Sequence, residues 1–201
     1  MARRDRFDIS PTTAFWLVVS CLLICTLYFT ISVEMRRFQW DERDPELTVE
    51  SGEVVQVIQV IDGDEVSVKR GDDVFVVRLL GTKCFSSKVN EPGISQIGAA
   101  CEAALERLTA DKQATVEFEE FKKDKAKRVL AYLRVGETDV GERLIRDGLS
   151  LTYTRYPFSR EDRYLAAESA ARTRARGIWG EPRATERAKA LKIEWKTSRE
   201  P

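Results

Sequence analysis

No histidine occurs among these 201 residues, so the commonest general base and the commonest metal ligand are both missing. Any chemistry has to run on carboxylates, arginine, lysine, tyrosine, serine or cysteine. Asp62-Gly63 is turn chemistry, and Asp64 follows it directly. Arg155, Arg160, Arg163, Arg172, Arg174 and Arg176 crowd one stretch near the end of the chain. A nucleic-acid or anionic-lipid patch is one reading of that cluster. The interleaved Glu161, Asp162 and Glu168 favour a solvated helix face instead. Cys21 and Cys25 stand one helical turn apart in an apolar run, a spacing that suits packing against lipid or another helix rather than reaction.

Such residues need a frame, and the composition supplies one. Charged residues make up 33% and hydrophobic ones 43%, enough for one packed domain. The formal net charge is zero, and removing the first 33 residues leaves the rest near neutral. Proteins that hold nucleic acid by neutralising phosphates usually carry a basic surplus. Its absence weakens nucleic acid as a partner, although a local patch within a neutral total remains compatible with the sequence.

Residues 12–33 contain no charge, and Ala14-Phe-Trp-Leu-Val-Val-Ser-Cys-Leu-Leu-Ile-Cys-Thr-Leu-Tyr-Phe29 is apolar on every helical face. A run of about 20 such residues matches the hydrocarbon thickness of a bilayer. Trp16, Tyr28 and Phe29 sit where interfacial aromatics belong, with Arg3, Arg4 and Arg6 before the run and Arg36 and Arg37 after it. A cleaved signal peptide is the alternative. The run exceeds the ~7–15 residues of a signal core, and no small-residue cleavage site precedes Glu34. The reading is a short tail (1–11), one transmembrane helix (12–33) and an acidic tether (34–52) carrying Phe38 and Trp40. A short basic N-terminal tail stays cytoplasmic. That places the following domain on the outer side, periplasmic in a Gram-negative cell.

After Gly52 the hydrophobic period becomes two. Residues 53–61, the pair Val66 and Val68, and residues 74–80 read as three strands joined by tight turns at Asp62-Gly63 and Arg70-Gly-Asp-Asp73. Residues 81–96 read as an exposed loop. Ile97 opens a helix with Ala100, Cys101, Ala104, Leu105 and Leu108 on one face. Strands over 113–119 and 128–135 flank a charged loop. A short helix over 140–148 and a longer one over 159–177, with Ser159 as its cap, follow. Three strands, a helix and two strands is the order of an OB-fold barrel. The expectation is an α+β domain over 53–180, a five-stranded OB barrel with three helices. A charged tail, 181–201, is either a frayed end or a terminal helix that docks on a partner through Trp195.

Val60-Ile-Asp-Gly-Asp64, Val77-Arg-Leu-Leu-Gly81, Lys127-Arg-Val-Leu-Ala-Tyr132, Leu144-Ile-Arg-Asp-Gly-Leu149 and Gly177-Ile-Trp179 come in one order on these elements. In that order and spacing the chain resembles the staphylococcal nuclease, or thermonuclease-like, family. The resemblance implies calcium-dependent phosphodiester hydrolysis, with two aspartates and a carbonyl on the metal, a glutamate as base and two arginines on the phosphate. A hard cation takes oxygen ligands, and arginine forks match phosphate. Position by position, the resemblance assigns Asp64 as a metal ligand with Asp62 beside it, and Arg78 and Arg128 as the phosphate arginines.

The other half of the implied site departs from the pattern. Where the family has an aspartate, a proline and a glutamate, this chain has Lys83, Phe85 and Ser86. A lysine there repels a cation and is able to pair with Asp64, and serine lacks the basicity to activate water. Glu65 or Glu91 would be the acids available for rescue. Cys84 at the altered loop and Cys101 on the next helix are either disulfide-bonded, in an oxidising compartment, or two thiols with Cys101 filling the core.

The expected function is therefore a membrane-anchored, nuclease-like domain without catalysis and without a cofactor. It would act as a binding or scaffold module, with the lipid bilayer and other membrane-complex subunits as partners. The alternatives are a calcium-dependent nuclease outside the cytoplasm acting on DNA or RNA, and a phosphate or nucleotide binder that does not cut.

Overall fold

The computed structural model describes residues 10–12, 15–17, 19–28, 49–119, 123–124 and 128–199. The chain divides into two units, Met1–Thr48 and Val49–Pro201. In the first, the described residues from 11 to 28 are helical, and Phe15, Trp16, Leu17, Leu22, Leu23, Ile24, Leu27 and Tyr28 each expose more than half of their surface. Among the described residues no helix is long and apolar enough to cross a membrane. Residues 13–14, 18 and 29–33 of the expected span, and Phe38 and Trp40 of the tether, lie outside the described residues.

The second unit is α+β and is built on a closed barrel. Strands β1 (Val54–Asp62), β2 (Glu65–Arg70) and β3 (Asp73–Leu79) form an antiparallel meander through two tight turns, with Asp62 opposite Glu65 and Arg70 opposite Asp73. The second turn needs Gly71, whose φ is +58°. Strand β4 (Thr82–Cys84) and helix α1 (Pro92–Thr109) come next, then β5 (Gln113–Glu117) and β6 (Val129–Val135). β5 pairs antiparallel with β1 and with β6, while β3 runs parallel to β6 and closes the five-stranded ring. Closure removes the open edges that a five-stranded sheet would otherwise expose. Alternate residues Val66, Val68, Val77, Leu79, Ala114, Val116, Ala131 and Leu133 are buried, as a half-buried strand requires.

Strand β7 (Thr138–Asp139) leads into helix α2 (Val140–Arg146), and Asp139 caps it by accepting from the Glu142 amide at 3.0 Å. Strand β8 (Ser150–Thr152) pairs antiparallel with β4. Helix α3 (Glu161–Thr173), a short 3₁₀ turn (Gly177–Trp179) and helix α4 (Pro182–Thr197) complete the unit.

Several expectations are corrected. Residues 81–96 are not one exposed loop: they hold β4, and α1 begins at Pro92, because proline at the first helical position loses an amide that has no partner there. On α1, Ile94, Gly98, Cys101, Ala104 and Leu105 are buried, while Ala100 is exposed. The tether does not extend to Gly52, since Val49 is fully buried and the Gly52 amide donates to the Val116 carbonyl at 2.8 Å. Ser159 does not cap α3. Its amide and hydroxyl instead donate to Glu119 at 2.7 and 2.6 Å, and the cap position belongs to Arg160.

The expected tail belongs to the domain itself. Helix α4 places Ala184, Ala188 and Trp195 in one buried cluster with Phe85, Ile94, Leu151, Ala171, Ile178 and Trp179. Trp195 meets Tyr153 edge-on with ring centroids 4.9 Å apart, and Lys192 donates to both oxygens of the buried Glu168 at 2.6 and 2.8 Å. Trp195→Ala is expected to cost about 3–5 kcal/mol in urea unfolding, the usual range for a buried tryptophan. A loss under about 1 kcal/mol would show that α4 contributes little to the core.

Glu119 accepts from Ser159 and from the Tyr132 hydroxyl, which ties the segment before α3 to the barrel. Burial opposes its charge, but the Ser159 and Tyr132 hydrogen bonds outweigh that and hold its pKa below the ordinary 4.5. A depressed carboxylate stabilises the fold above its unfolded pKa and loses that contribution as pH falls through the folded value. Glu119→Gln should therefore lower the melting temperature at neutral pH, and the gap to the native protein should close on acidification below 4.5.

Candidate functional site

The tight turn between β1 and β2 carries the first element of the site. Asp62 accepts from the Gly63 amide at 2.8 Å and so caps its own turn. Asp64 points inward and is 1% exposed, and its carbonyl accepts from the Leu79 amide at 2.9 Å. A buried carboxylate has to be matched by donors and positive charge. The Asp64 carboxylate has three such partners. Arg78 donates to its two oxygens at 3.4 and 3.3 Å, the Cys84 amide donates to Oδ2 at 3.1 Å, and the Lys83 ammonium lies 3.5 Å from the same oxygen.

Around this centre the charges continue in pairs. Glu65 stands opposite Arg78 in the β2–β3 register, and its Oε1 accepts from Arg78 Nη1 at 2.7 Å. The same oxygen accepts from Arg128 Nη1. Asp124 takes the rest of the Arg128 fork, accepting from Nε at 2.8 Å and pairing with Nη2 at 2.6 Å. Burial works against the Arg128 charge, but Asp124 and Glu65 more than compensate and raise its pKa. Three carboxylates, Asp64, Glu65 and Asp124, thus meet three cations, Arg78, Lys83 and Arg128, in one connected cluster.

The altered loop is fastened from below. Cys84 and Cys101 are joined by a disulfide that ties β4 to α1. That bridge lies directly under the turn: a Cβ on Gly63 would come within 2.7 Å of Cys84 Cβ and 3.0 Å of both sulfurs. Phe85 is buried among Ile94, Trp179 and Trp195, where proline would leave a void. Ser86 accepts from the Lys88 amide at 3.2 Å, and its backbone lies so close to Gly98 that a Cβ there would meet it at 2.6 Å. Ser86 therefore serves its own loop. Glu91 faces α4, where it lines a shallow groove with Arg183, Glu186 and Arg187, and it takes no part in the Asp64 cluster.

A model of the family described as staphylococcal nuclease homologue matches residues 76–181. The chain belongs to that family. A thermonuclease of Staphylococcus hyicus is 24% identical over 170 residues, covering 84% of this chain and 96% of that protein. In this nuclease homologue the positions that the resemblance assigns to metal and phosphate, Asp64, Arg78 and Arg128, do come together around one turn. The donor set does not fit a calcium ion. One buried carboxylate is available, already shared by a guanidinium and an ammonium, and the loop offers Lys83 where a second acid would have to stand. Among the described residues no group of three or more acidic or cysteine side chains is arranged to hold a metal.

The arginines of α3 do not make a free basic patch either. Arg160 pairs with Asp139 and Glu117 and stacks on Tyr132, Arg163 pairs with Glu142, and Arg172 pairs with Glu168 and stacks on Trp179.

Residue types read along the chain do not reveal the two acids that complete the cluster as partners of the arginines. Glu65 is directly across from Arg78 once the turn at Gly71 sets the register, and Asp124 lies four residues before Arg128. Of the two, only the four-residue spacing of Asp124 and Arg128 is visible without the fold.

Two outcomes test the fastening. The disulfide closes a sequence separation of 17 residues, so full reduction is expected to lower unfolding free energy by about 3 kcal/mol. Gly63→Ala should cost about 1–3 kcal/mol by overpacking against the bridge. Urea titrations with and without a thiol reductant measure both, and no change on reduction would show that the bridge restrains nothing.

Proposed function

We propose that this chain is a membrane-anchored, non-catalytic member of its family, used as a binding or scaffold module and as an accessory subunit of a membrane complex. The observation that carries the reading is the Lys83 ammonium on Asp64, 3.5 Å from Oδ2. It puts a fixed protein cation where hydrolysis would need a metal, and Ser86 brings no base. OB barrels present surfaces for binding as readily as sites for reaction, so loss of the metal site leaves the fold useful.

Anchoring is supported by the apolar residues from Phe15 to Tyr28, which are helical where described and largely exposed, as a lipid-facing segment would be. The Cys84–Cys101 bridge suits a domain on the oxidising, outer side of the membrane, with the basic N-terminal tail in the cytoplasm.

The full chain, purified in mild detergent and assayed with calcium on single-stranded DNA and RNA, is expected to cleave neither above the level of an Asp64→Asn variant. Calcium-dependent cleavage that disappears in the variant would contradict the reading. Identification of proteins that co-migrate in the same detergent tests the scaffold role, which fails if the chain migrates alone from its native membrane.

A further inference from the structure

Strand β1 is irregular in two places, and both fall on an isoleucine. Its register against β2 shifts between Val57 and Gln59 and again between Val60 and Asp62, which leaves Ile58 and Ile61 as the extra residues of two bulges. A bulge re-aims a side chain out of the regular alternation of a strand. Here both isoleucines meet solvent, 50% and 40% exposed. Val54 on the same strand is 50% exposed, and Val74 on β3 is 58% exposed. Lys69 on β2 stands between Gln56 and Val74 in the register, so these residues share the outer face of the β1–β2–β3 meander, while Val55, Val66, Val68 and Val77 are buried on its inner side. A single exposed aliphatic is ordinary on a protein surface, but a group of them on one sheet face marks a contact. Among the described residues of the second unit seven large hydrophobics are exposed, and four of them belong to this face.

We propose that this face is an interface between two copies of the chain, packed sheet to sheet about a two-fold axis. Charge selects the occupant. The rims are neutralised from within, since Arg70 pairs with Glu53 and Asp73 at one end and Glu65 pairs with Arg78 at the other. Between the rims the polar residues are mainly the neutral Gln56, Gln59 and Ser67, which gives a polyanion or an anionic lipid surface little to hold. Two exposed charges remain, Lys69 on β2 and Asp72 in the turn that follows, and neither has an ion-pair partner among the described residues. One cation and one anion on the same patch is the self-complementary arrangement that a two-fold needs, because each contact made by one copy is returned by the other. The axis sets Lys69 of each copy against the partner subunit's Asp72, with the isoleucines and valines closed between them. This pairing depends neither on the loss of catalysis nor on membrane anchoring.

The test is sedimentation velocity of the full chain in a mild detergent at about 50 μM, above the micromolar limit for interfaces of ordinary size. Native protein is expected to run as a dimer. Ile58→Asp and Val74→Lys each enter a two-fold interface twice and should weaken dimerisation about tenfold or more. The two substitutions lie on different strands, so a variant that fails to fold leaves the other to decide. Lys69→Asp and Asp72→Lys, made singly, set like charges against each other and should also weaken the dimer, whereas the double exchange should restore it. A monomeric native protein overturns the proposal, whether lipid or another protein then takes the face. So does a dimer that Ile58→Asp and Val74→Lys both leave intact, and so does a double exchange no stronger than the single ones.

Discussion

One buried carboxylate sets the terms for the rest of the domain. Asp64 is 1% exposed at the tight turn between β1 and β2, and a charge so placed is tolerated only when the surroundings supply compensation. A divalent cation is one source of it. Here the chain supplies its own, from Arg78 on β3, from Lys83 on β4 and from the Cys84 amide. The compensation then propagates outward, because Arg78 and Arg128 share Glu65 and Arg128 leans on Asp124. The result is a cluster neutral in itself, lying across β2, β3, β4 and the start of β6.

The loop after β3 has been rebuilt to suit that arrangement. Lys83 makes an ion pair, Cys84 a disulfide, Phe85 a core contact under α4 and Ser86 a turn hydrogen bond. Gly63 and Gly98 are the two places where the backbone must come close for this to work, against the disulfide and against the loop itself. Helix α4, which lies beyond the segment that matches the family, closes the same core over Phe85 through Trp195 and is pinned by Lys192 to the buried Glu168. Loop, bridge and last helix form one connected unit, so the altered residues read as parts of a structure rather than as gaps in an active site.

Much of this was legible in the residues. Period-two alternation marked the barrel strands, Asp-Gly and Gly-Asp marked their turns, and the string after Arg78 marked the missing acids. What escaped depended on pairings that one-dimensional patterns do not display. Glu65 becomes a partner of Arg78 only when the hairpin register is set, and β4 is too short to show a period and exists because β8 lies beside it. Pro92 and Gly93 lie in the stretch that reads as a loop, yet proline is at home at the first position of a helix. Helix α4 is polar over most of its surface, and its docking rests on a few small residues and one tryptophan whose receiving surface is assembled from four other elements.

The central claim is that protein cations, not a metal, neutralise Asp64. Isothermal titration of the full chain with calcium chloride at neutral pH tests it most directly. No saturable heat is expected, from the native protein or from Asp64→Asn. Stoichiometric calcium binding by the native protein that is lost in Asp64→Asn would contradict the account.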